Sequence, residues 1–204
     1  MMKFDLHMHT RRYSPDSDID PFELVRRAKD IGLDGVVITE HDNLWPEQEL
    51  EELRAAAPGL VVLGGVEVSG RKGDLLCYGV SNLRTLPRGG RWGDLCREVT
   101  RQGGVAVAAH PFRWGQDFEG LLAEEQPELG GLEMMSNNMD PELRHLTASF
   151  FERSPTFATL GNSDAHEVHV VGCCYTEFDA VIGNSEDLVR AIRGRKARPR
   201  SRFE

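Results

Sequence analysis

The sequence predicts an α/β fold, a single small TIM-like barrel of seven or so β/α units with a parallel sheet at its centre. Short apolar runs rich in Val and Ile alternate with segments of helical periodicity, the pattern of buried parallel strands covered by helices. The chain has 204 residues, 40% of them hydrophobic, which suits one domain with a full core and leaves little room for a second. No GxGxxG follows the first strand, so a doubly wound dinucleotide-binding sheet lacks its local signature.

The first strand lies around Phe4. In MKFDLHMHT, Phe4, Leu6 and Met8 alternate with Asp5, His7 and His9, so an extended chain turns His7 and His9 to one side. In DPFELVRRAKDIG, Asp20 caps a helix and Pro21 opens it. Leu24, Val25, Ala28 and Ile31 form its inward face, and Gly32 ends it. GVVITE, from Gly35, is a buried strand, and PEQELEELRAAA a second helix. LVVLGGVEVSG and DLLCYGV are strands joined by a Gly-Arg-Lys-Gly turn. A helix over residues 93–102 leads into GVAVAAHP. GGLEMM, PELRHLTASFFER and TFATLGNSDAH continue the alternation, VHVVGCCYTEF is a late strand, and SEDLVRAIRGR the last helix. The folded unit so read covers residues 1–194. Residues 195–204 form a basic tail whose charge run is expected to be solvated and mobile, with guidance of a polyanion as the alternative.

Composition narrows the function. A net charge of -9 argues against a general nucleic-acid binder. It fits plain solubility or carboxylates gathered to hold cations. Cys77, Cys96, Cys173 and Cys174 make no CxxC pair, which argues against a zinc knuckle and a disulfide framework. Lys3, Asp5 and His7 stand where a signal peptide needs an apolar run, and VAVAA is too short to span a membrane. A cytoplasmic protein without membrane attachment is expected.

In a β/α barrel, working residues sit at the C-terminal ends of the strands. His7 and His9 end the first strand, and Glu40, His41 and Asp42 the second. Glu67 lies near the end of the third, Asp74 opens the next, His110 ends AAHP, Glu133 lies in GLEMM, and Asp164 and His166 end GNSDAH. Strands converging on one mouth would bring these groups together. Imidazole nitrogens and carboxylate oxygens are ligands for Zn, Mn or Fe ions, and without a cation the gathered carboxylates would repel.

DLHMHT, TEHD, GVE, AHP and NSDAH, in this order from residue 3 to about residue 170, resemble the PHP family of phosphoesterases, named after polymerase and histidinol phosphatase. The resemblance implies a distorted (β/α)7 barrel holding two or three divalent ions. It implies that His7, His9, Glu67 and Asp164 hold one ion, and that Glu67 bridges to a second held by His110. A third ion falls to His41, His166 and an acid of YSPDSDIDP, Asp16 in preference to Asp18, with turn formation as the alternative for both. Where family members carry a histidine after the GxE strand, this chain has GDLLCYG. Asp74 there is either an oxygen ligand or a turn residue.

The resemblance further implies hydrolysis of a phosphate ester by a metal-activated hydroxide. Substrates would be a phosphorylated small molecule or nucleotide, with short nucleic-acid ends included. Arg113, just beyond His110, is the candidate phosphate ligand, with Arg11 and Arg12 as runners-up. His169 or a bound water would protonate the leaving oxygen. Glu40 and Asp42 either orient the His41 ring or cap a loop. Trp45, Trp92 and Trp114 are expected to pack, Trp114 with stacking on a base or sugar as the alternative.

Two other readings stand against this one. Metal-dependent amidohydrolases also open with HxH and end with Asp, but they carry a bridging lysine on a middle strand. Here Lys3, Lys29, Lys72 and Lys196 fall before a strand, on a helix, in a turn and in the tail. A non-catalytic metal-binding module would show lost ligands. Here only the Asp74 position departs from the family pattern.

Overall fold

The computed structural model describes residues 1–203. Among them run β1 (Met2–Asp5), α1 (Pro21–Asp30), β2 (Gly35–Ile38), α2 (Glu47–Ala56), β3 (Val61–Gly70), β4 (Gly73–Tyr78), α3 (Trp92–Arg101) and β5 (Val105–Ala108). α4 (Phe118–Glu125), β6 (Leu129–Met135), α5 (Pro141–Arg153), β7 (Ala158–Gly161), β8 (Cys174–Phe178), α6 (Ser185–Arg193) and β9 (Ala197–Ser201) complete the order. The strands form one barrel-shaped sheet in the order β7-β6-β5-β4-β3-β2-β1-β8-β9, the predicted TIM-like architecture.

The pairs β1–β2, β2–β3, β5–β6 and β6–β7 are parallel, as helical crossovers require. The sheet is not parallel throughout. β4 returns from β3 through the turn of Arg71 and Lys72, and β8 follows β7 through a loop without a helix. A strand reached without a helical crossover runs the opposite way, and β5 and β9 beside them resume the original sense. The late strand begins only at Cys174, because Gly172 takes a left-handed φ of 71° and ends the turns before it.

The barrel interior is filled from most strands, by Phe4, Leu6, Val37, Leu63, Leu76, Tyr78, Val107 and Leu160. Leu188, Ala191 and Ile192 of α6 join this cluster from the end opposite the histidines. A second cluster sets Leu24, Val25 and Ala28 of α1, and Leu50 and Leu53 of α2, against Val36, Ile38 and Val62. A third packs Trp92, Leu95, Cys96 and Val99 of α3 and Phe118 of α4 against Val66, Leu75, Cys77 and Ala106. Met8 belongs to the second cluster, so the expected alternation with Phe4 and Leu6 breaks beyond Leu6.

The expectation of a mobile tail is overturned for residues 197–201, which form β9 and pair with β8 from Ala197↔Phe178 to Ser201↔Cys174. The arginines are solvated as charge runs are, with Arg198 and Arg200 exposed, but Ala197 is buried and the backbone is held. Residue 204 of that tail lies outside the described residues.

The seam where β7 meets β8 and β9 is closed by a side chain. Thr176 Oγ1 donates to Gly161 O at 2.8 Å and accepts from Gly161 N at 3.1 Å. A Cβ on Gly161 would lie 3.0 Å from Tyr175 O and 3.2 Å from Arg200 N, so glycine permits this approach. Thr176→Val should therefore leave both backbone groups of Gly161 without partners. A loss of about 2–4 kcal/mol is expected in urea melts, and an unchanged midpoint would refute the clasp.

Candidate metal centre

Beyond β1 the chain stays extended between the ends of β2 and β7. Asp164 N donates to His7 O at 2.8 Å, His9 N to Ala165 O at 3.0 Å, and Thr39 N to Met8 O at 3.0 Å. This places His7 and His9, both fully buried, at the mouth with their Nε2 atoms 3.1 Å apart. Asp164 Oδ1 lies 3.2 Å from His7 Nε2 and 3.4 Å from His9 Nε2.

Glu67, near the end of β3, stands at the middle. Its Oε1 is 3.0 Å from His110 Nε2 and 3.4 Å from His7 Nε2. Its Oε2 is 2.9 Å from His41 Nδ1 and 3.4 Å from His9 Nε2. At the open side, Asp16 Oδ2 lies 3.1 Å from His41 Nε2 and 3.4 Å from His166 Nε2. Of the two candidate loop acids, Asp16 faces the histidines. Three donor sets result: His7, His9 and Asp164; His7, Glu67 and His110; His9, His41 and His166. Asp74 belongs to none of them. It sits at the rim, where burial and the charge of Glu67 raise its carboxyl.

The donor chemistry fits divalent cations. Tetrahedral or octahedral coordination at about 2.0–2.2 Å sets donor–donor edges of about 2.8–3.6 Å, and the separations of 3.0–3.4 Å given above among His7, His9, Glu67, His110 and Asp164 fall within it. The outer hydrogen bonds fix which ring nitrogen is free. Glu133 Oε1 accepts from His7 Nδ1 at 3.0 Å, so His7 Nε2 keeps its lone pair. Ser14 Oγ donates to Glu40 Oε2 at 2.5 Å and accepts from His9 Nδ1 at 3.3 Å, which frees His9 Nε2 likewise. Two lone pairs facing each other at 3.1 Å need a positive charge between them.

Among these supports Glu133 and Glu40 were expected at the mouth, whereas Ser14, Asp5, Asn138 and Asn162 were not. Glu133 also accepts from His110 N at 2.9 Å and Asn162 Nδ2 at 2.9 Å, so one buried acid orients two candidate ligands and a neighbouring strand. Its signal was an acid inside an apolar strand. Asp5 accepts from Ser163 N and Gly172 N, both at 2.9 Å, and ties β1 to the loop carrying Asp164. Asn138 Nδ2 donates to Asp164 Oδ2 at 2.8 Å. Neither Glu40 nor Asp42 touches the His41 ring. Glu40 accepts from Thr10, Ser14 and Trp45, and Asp42 from Ser69 N. His110 and Asp164 hold left-handed φ of 27° and 50°, strain of the kind found where a site over-determines its backbone.

Two other expectations change. His169 is 73% exposed, pairs with Glu167 at 3.4 Å and lies beside Arg26 and Arg27 of α1, away from the donor sets. The loop after His166 turns it outward. Trp45 and Trp92 pack as expected, but Trp114 is 78% exposed. Arg113 is at the mouth, its Nη1 3.7 Å from Asp164 Oδ2, and lines a cavity of about 270 Å³ with Asn137, Asn138, Asp164 and His166. Arg11 and Arg12 instead pair with Asp20 and Glu49.

A family model described as the PHP domain matches residues 5–150, and one described as PHP-associated matches residues 145–197. The chain belongs to the PHP family. It is 31% identical over 121 residues to the uncharacterized protein MJ1587 of Methanocaldococcus jannaschii, covering 54% of this chain and 68% of that one. A Bacteroides vulgatus two-domain protein containing a predicted PHP-like metal-dependent phosphoesterase superposes at TM-score 0.75 and 20% identity. That match covers 98% of this chain and 64% of the other. The lesion-specific endonuclease PfuEndoQ of Pyrococcus furiosus superposes at 0.71 and 19% identity, over 95% of this chain and 56% of its own. This PHP chain thus spans less than two thirds of both solved structures.

Charge in the PHP cup is strongly polarised. Burial opposes a charged His7, but Asp164, Glu67 and Glu133 outweigh it and raise the imidazole well above its ordinary range. Burial likewise opposes a charged Glu67, yet His7, His110 and His41 hold it well below the carboxylate range. His9 is pushed down, by burial first. The carboxylates gathered round His7 thus call for positive charge, which a divalent ion would supply.

Asp5 gives a pH signature. Burial pushes its carboxyl up to about 6, against the opposing hydrogen bonds from Ser163 and Gly172. A carboxyl raised in the folded state adds stability at low pH, and that contribution is lost as pH rises from about 4 through about 6. Relative to Asp5→Asn, the wild type should therefore lose up to about 3 kcal/mol across that window in urea melts; a difference flat with pH would refute it.

Proposed function

We propose that this chain is a metal-dependent phosphoesterase that hydrolyses a phosphate ester of a small molecule, nucleotide or oligonucleotide end. The observation that carries this reading is the sharing of ligands. His7 and His9 each belong to two neighbouring sets of donor atoms in one cup, Glu67 lies within 3.4 Å of histidines from all three sets, and an arginine stands at the rim. Cations held there, Mn, Zn or Fe, would acidify a water and offset charge on phosphate oxygens.

The residues divide the remaining work. His7, His9 and Asp164 hold the deepest set, and Glu67 links it to His110 on one side and His41 on the other. Glu133 and Ser14 lock the imidazoles so that Nε2 points inward. Asn138 holds Asp164 from the open side. Arg113 presents its guanidinium to the cavity beside Asp164, where a phosphate oxygen would sit. Asp16, His41 and His166 form the more exposed set and would meet the substrate first. Asp74 would add an oxygen donor near His110 and Glu67.

The amidohydrolase alternative finds no lysine at the cup. Lys72 pairs with Glu124 and Lys29 donates to Pro58 O. No helix among the described residues is long and apolar enough to cross a membrane.

Elemental analysis of the purified protein should find two or three divalent ions per chain, and Asp164→Asn should lower that content. Hydrolysis of phosphate monoesters with Mn²⁺ should stop with chelator and return on adding metal. Full metal content with no turnover of any phosphate ester would leave a binding module instead, and turnover of an N-acyl amide alone would favour amide hydrolysis.

Arg113→Ala should raise KM for a phosphate ester about tenfold or more, by loss of a charge-assisted contact, with metal content intact. Unchanged kinetics would remove Arg113 from substrate binding.

A further inference from the structure

We propose that Trp114 is a specificity-determining residue that stacks the planar ring of the substrate's alcohol group, so that the substrate is a nucleoside phosphate. Trp114 has this role only if the cup hydrolyses phosphate esters, as proposed above.

Trp114 is 78% exposed, whereas Trp45 and Trp92 are buried. Its ring centroid lies 6.0 Å from that of His110, so the exposed indole stands at the rim of the donor sets. Its display is imposed by the backbone. Phe112, Trp114 and Gly115 take left-handed φ of 69°, 56° and 72°, a conformation unfavourable for bulky residues. The loop is braced on both sides. The Phe112 ring packs on Phe118 and Phe150, with centroids 5.2 and 6.4 Å away. The Gln116 side chain accepts from Phe112 N at 3.0 Å and donates to Lys72 O at 2.5 Å. A loop held this way presents Trp114 to solvent rather than letting it fold onto the nearby apolar cluster.

Arg113 connects the indole to the phosphate position. Its Cζ lies 4.3 Å from the Trp114 ring centroid, while its Nη1 reaches to 3.7 Å from Asp164 Oδ2. One residue therefore lies over the ring and faces the cavity beside the donor sets. A nucleoside phosphate matches this arrangement, with its phosphate at Arg113 and its base on the indole. Base–aromatic stacking is tolerant of base identity, so preference for a base over none is expected rather than a choice among bases.

The test compares adenosine 5′-monophosphate with ribose 5-phosphate, which lacks only the base, on the Mn²⁺-loaded protein. The wild type should show a KM at least about tenfold lower for the nucleotide. Trp114→Ala should erase that difference by raising the nucleotide KM alone, and Trp114→Phe should keep most of it. Adenosine 5′-monophosphate should also quench the wild-type tryptophan emission and leave that of Trp114→Phe unchanged, since Trp45 and Trp92 are buried. Hydrolysis of both esters with an equal effect of Trp114→Ala on each would overturn the stacking role and leave the phosphoesterase reading in place. Hydrolysis of neither ester would overturn the nucleoside-phosphate assignment, while the phosphoesterase reading falls only if no phosphate ester at all is turned over; absence of quenching would overturn the stacking role whatever the turnover.

Discussion

A buried carboxylate with four imidazoles around it sets the terms for the whole molecule. Glu67 is 2% exposed, and nitrogens of His7, His9, His41 and His110 lie within 3.4 Å of its oxygens. An ionised acid in such a place is costly unless positive charge surrounds it. Those nitrogens come from three stretches of chain, each arriving at the end of a different strand. Keeping them at hydrogen-bond distance demands a barrel that does not breathe at its mouth. The Thr176–Gly161 clasp and the two bonds of Asp5 to the loop between β7 and β8 meet that demand at the seam and beneath the cup.

The cup is graded from closed to open. At its closed end, His7 and His9 have no exposed surface, and each has its Nδ1 engaged by an oxygen. At its open end, His41 is 35% and His166 26% exposed, and Asp16, their shared partner, is 55% exposed. Burial strengthens electrostatics where water is excluded and weakens it at the rim. Ions held at the two ends would therefore differ in how readily they exchange and in how readily a substrate oxygen reaches them. Arg113 lies on the open side, where an incoming anion is first met.

Four of the left-handed non-glycine residues lie at or beside the cup, while Gln126 and Arg195 lie elsewhere. His110 and Asp164 bear donor atoms, and Phe112 and Trp114 follow at once in the same loop as His110. In each case the backbone conformation is held by contacts made elsewhere, among them the aromatic packing of Phe112 and the Asp164 amide bond to His7 O. Strain is thus tolerated at the mouth because the surrounding barrel is well packed.

Residue order alone determined the barrel class and the positions of the candidate donors. Apolar strands of four to ten residues between amphipathic helices leave few architectures open, and loops at the strand ends must then carry His7, His9, His41, His110, Asp164 and His166. That information is local, carried by periodicity and by neighbours in the chain. Tertiary structure decided what depends on distant partners. Glu133 meets His7 across 126 positions, Asp5 meets Ser163 across 158, and β9 gains order only by pairing with β8. The outward turn of His169 and the exposure of Trp114 were equally illegible, because each follows from loop backbone angles set by packing. Alternation and caps encode the direction a strand takes, but not which buried oxygen a ring nitrogen will meet at its end.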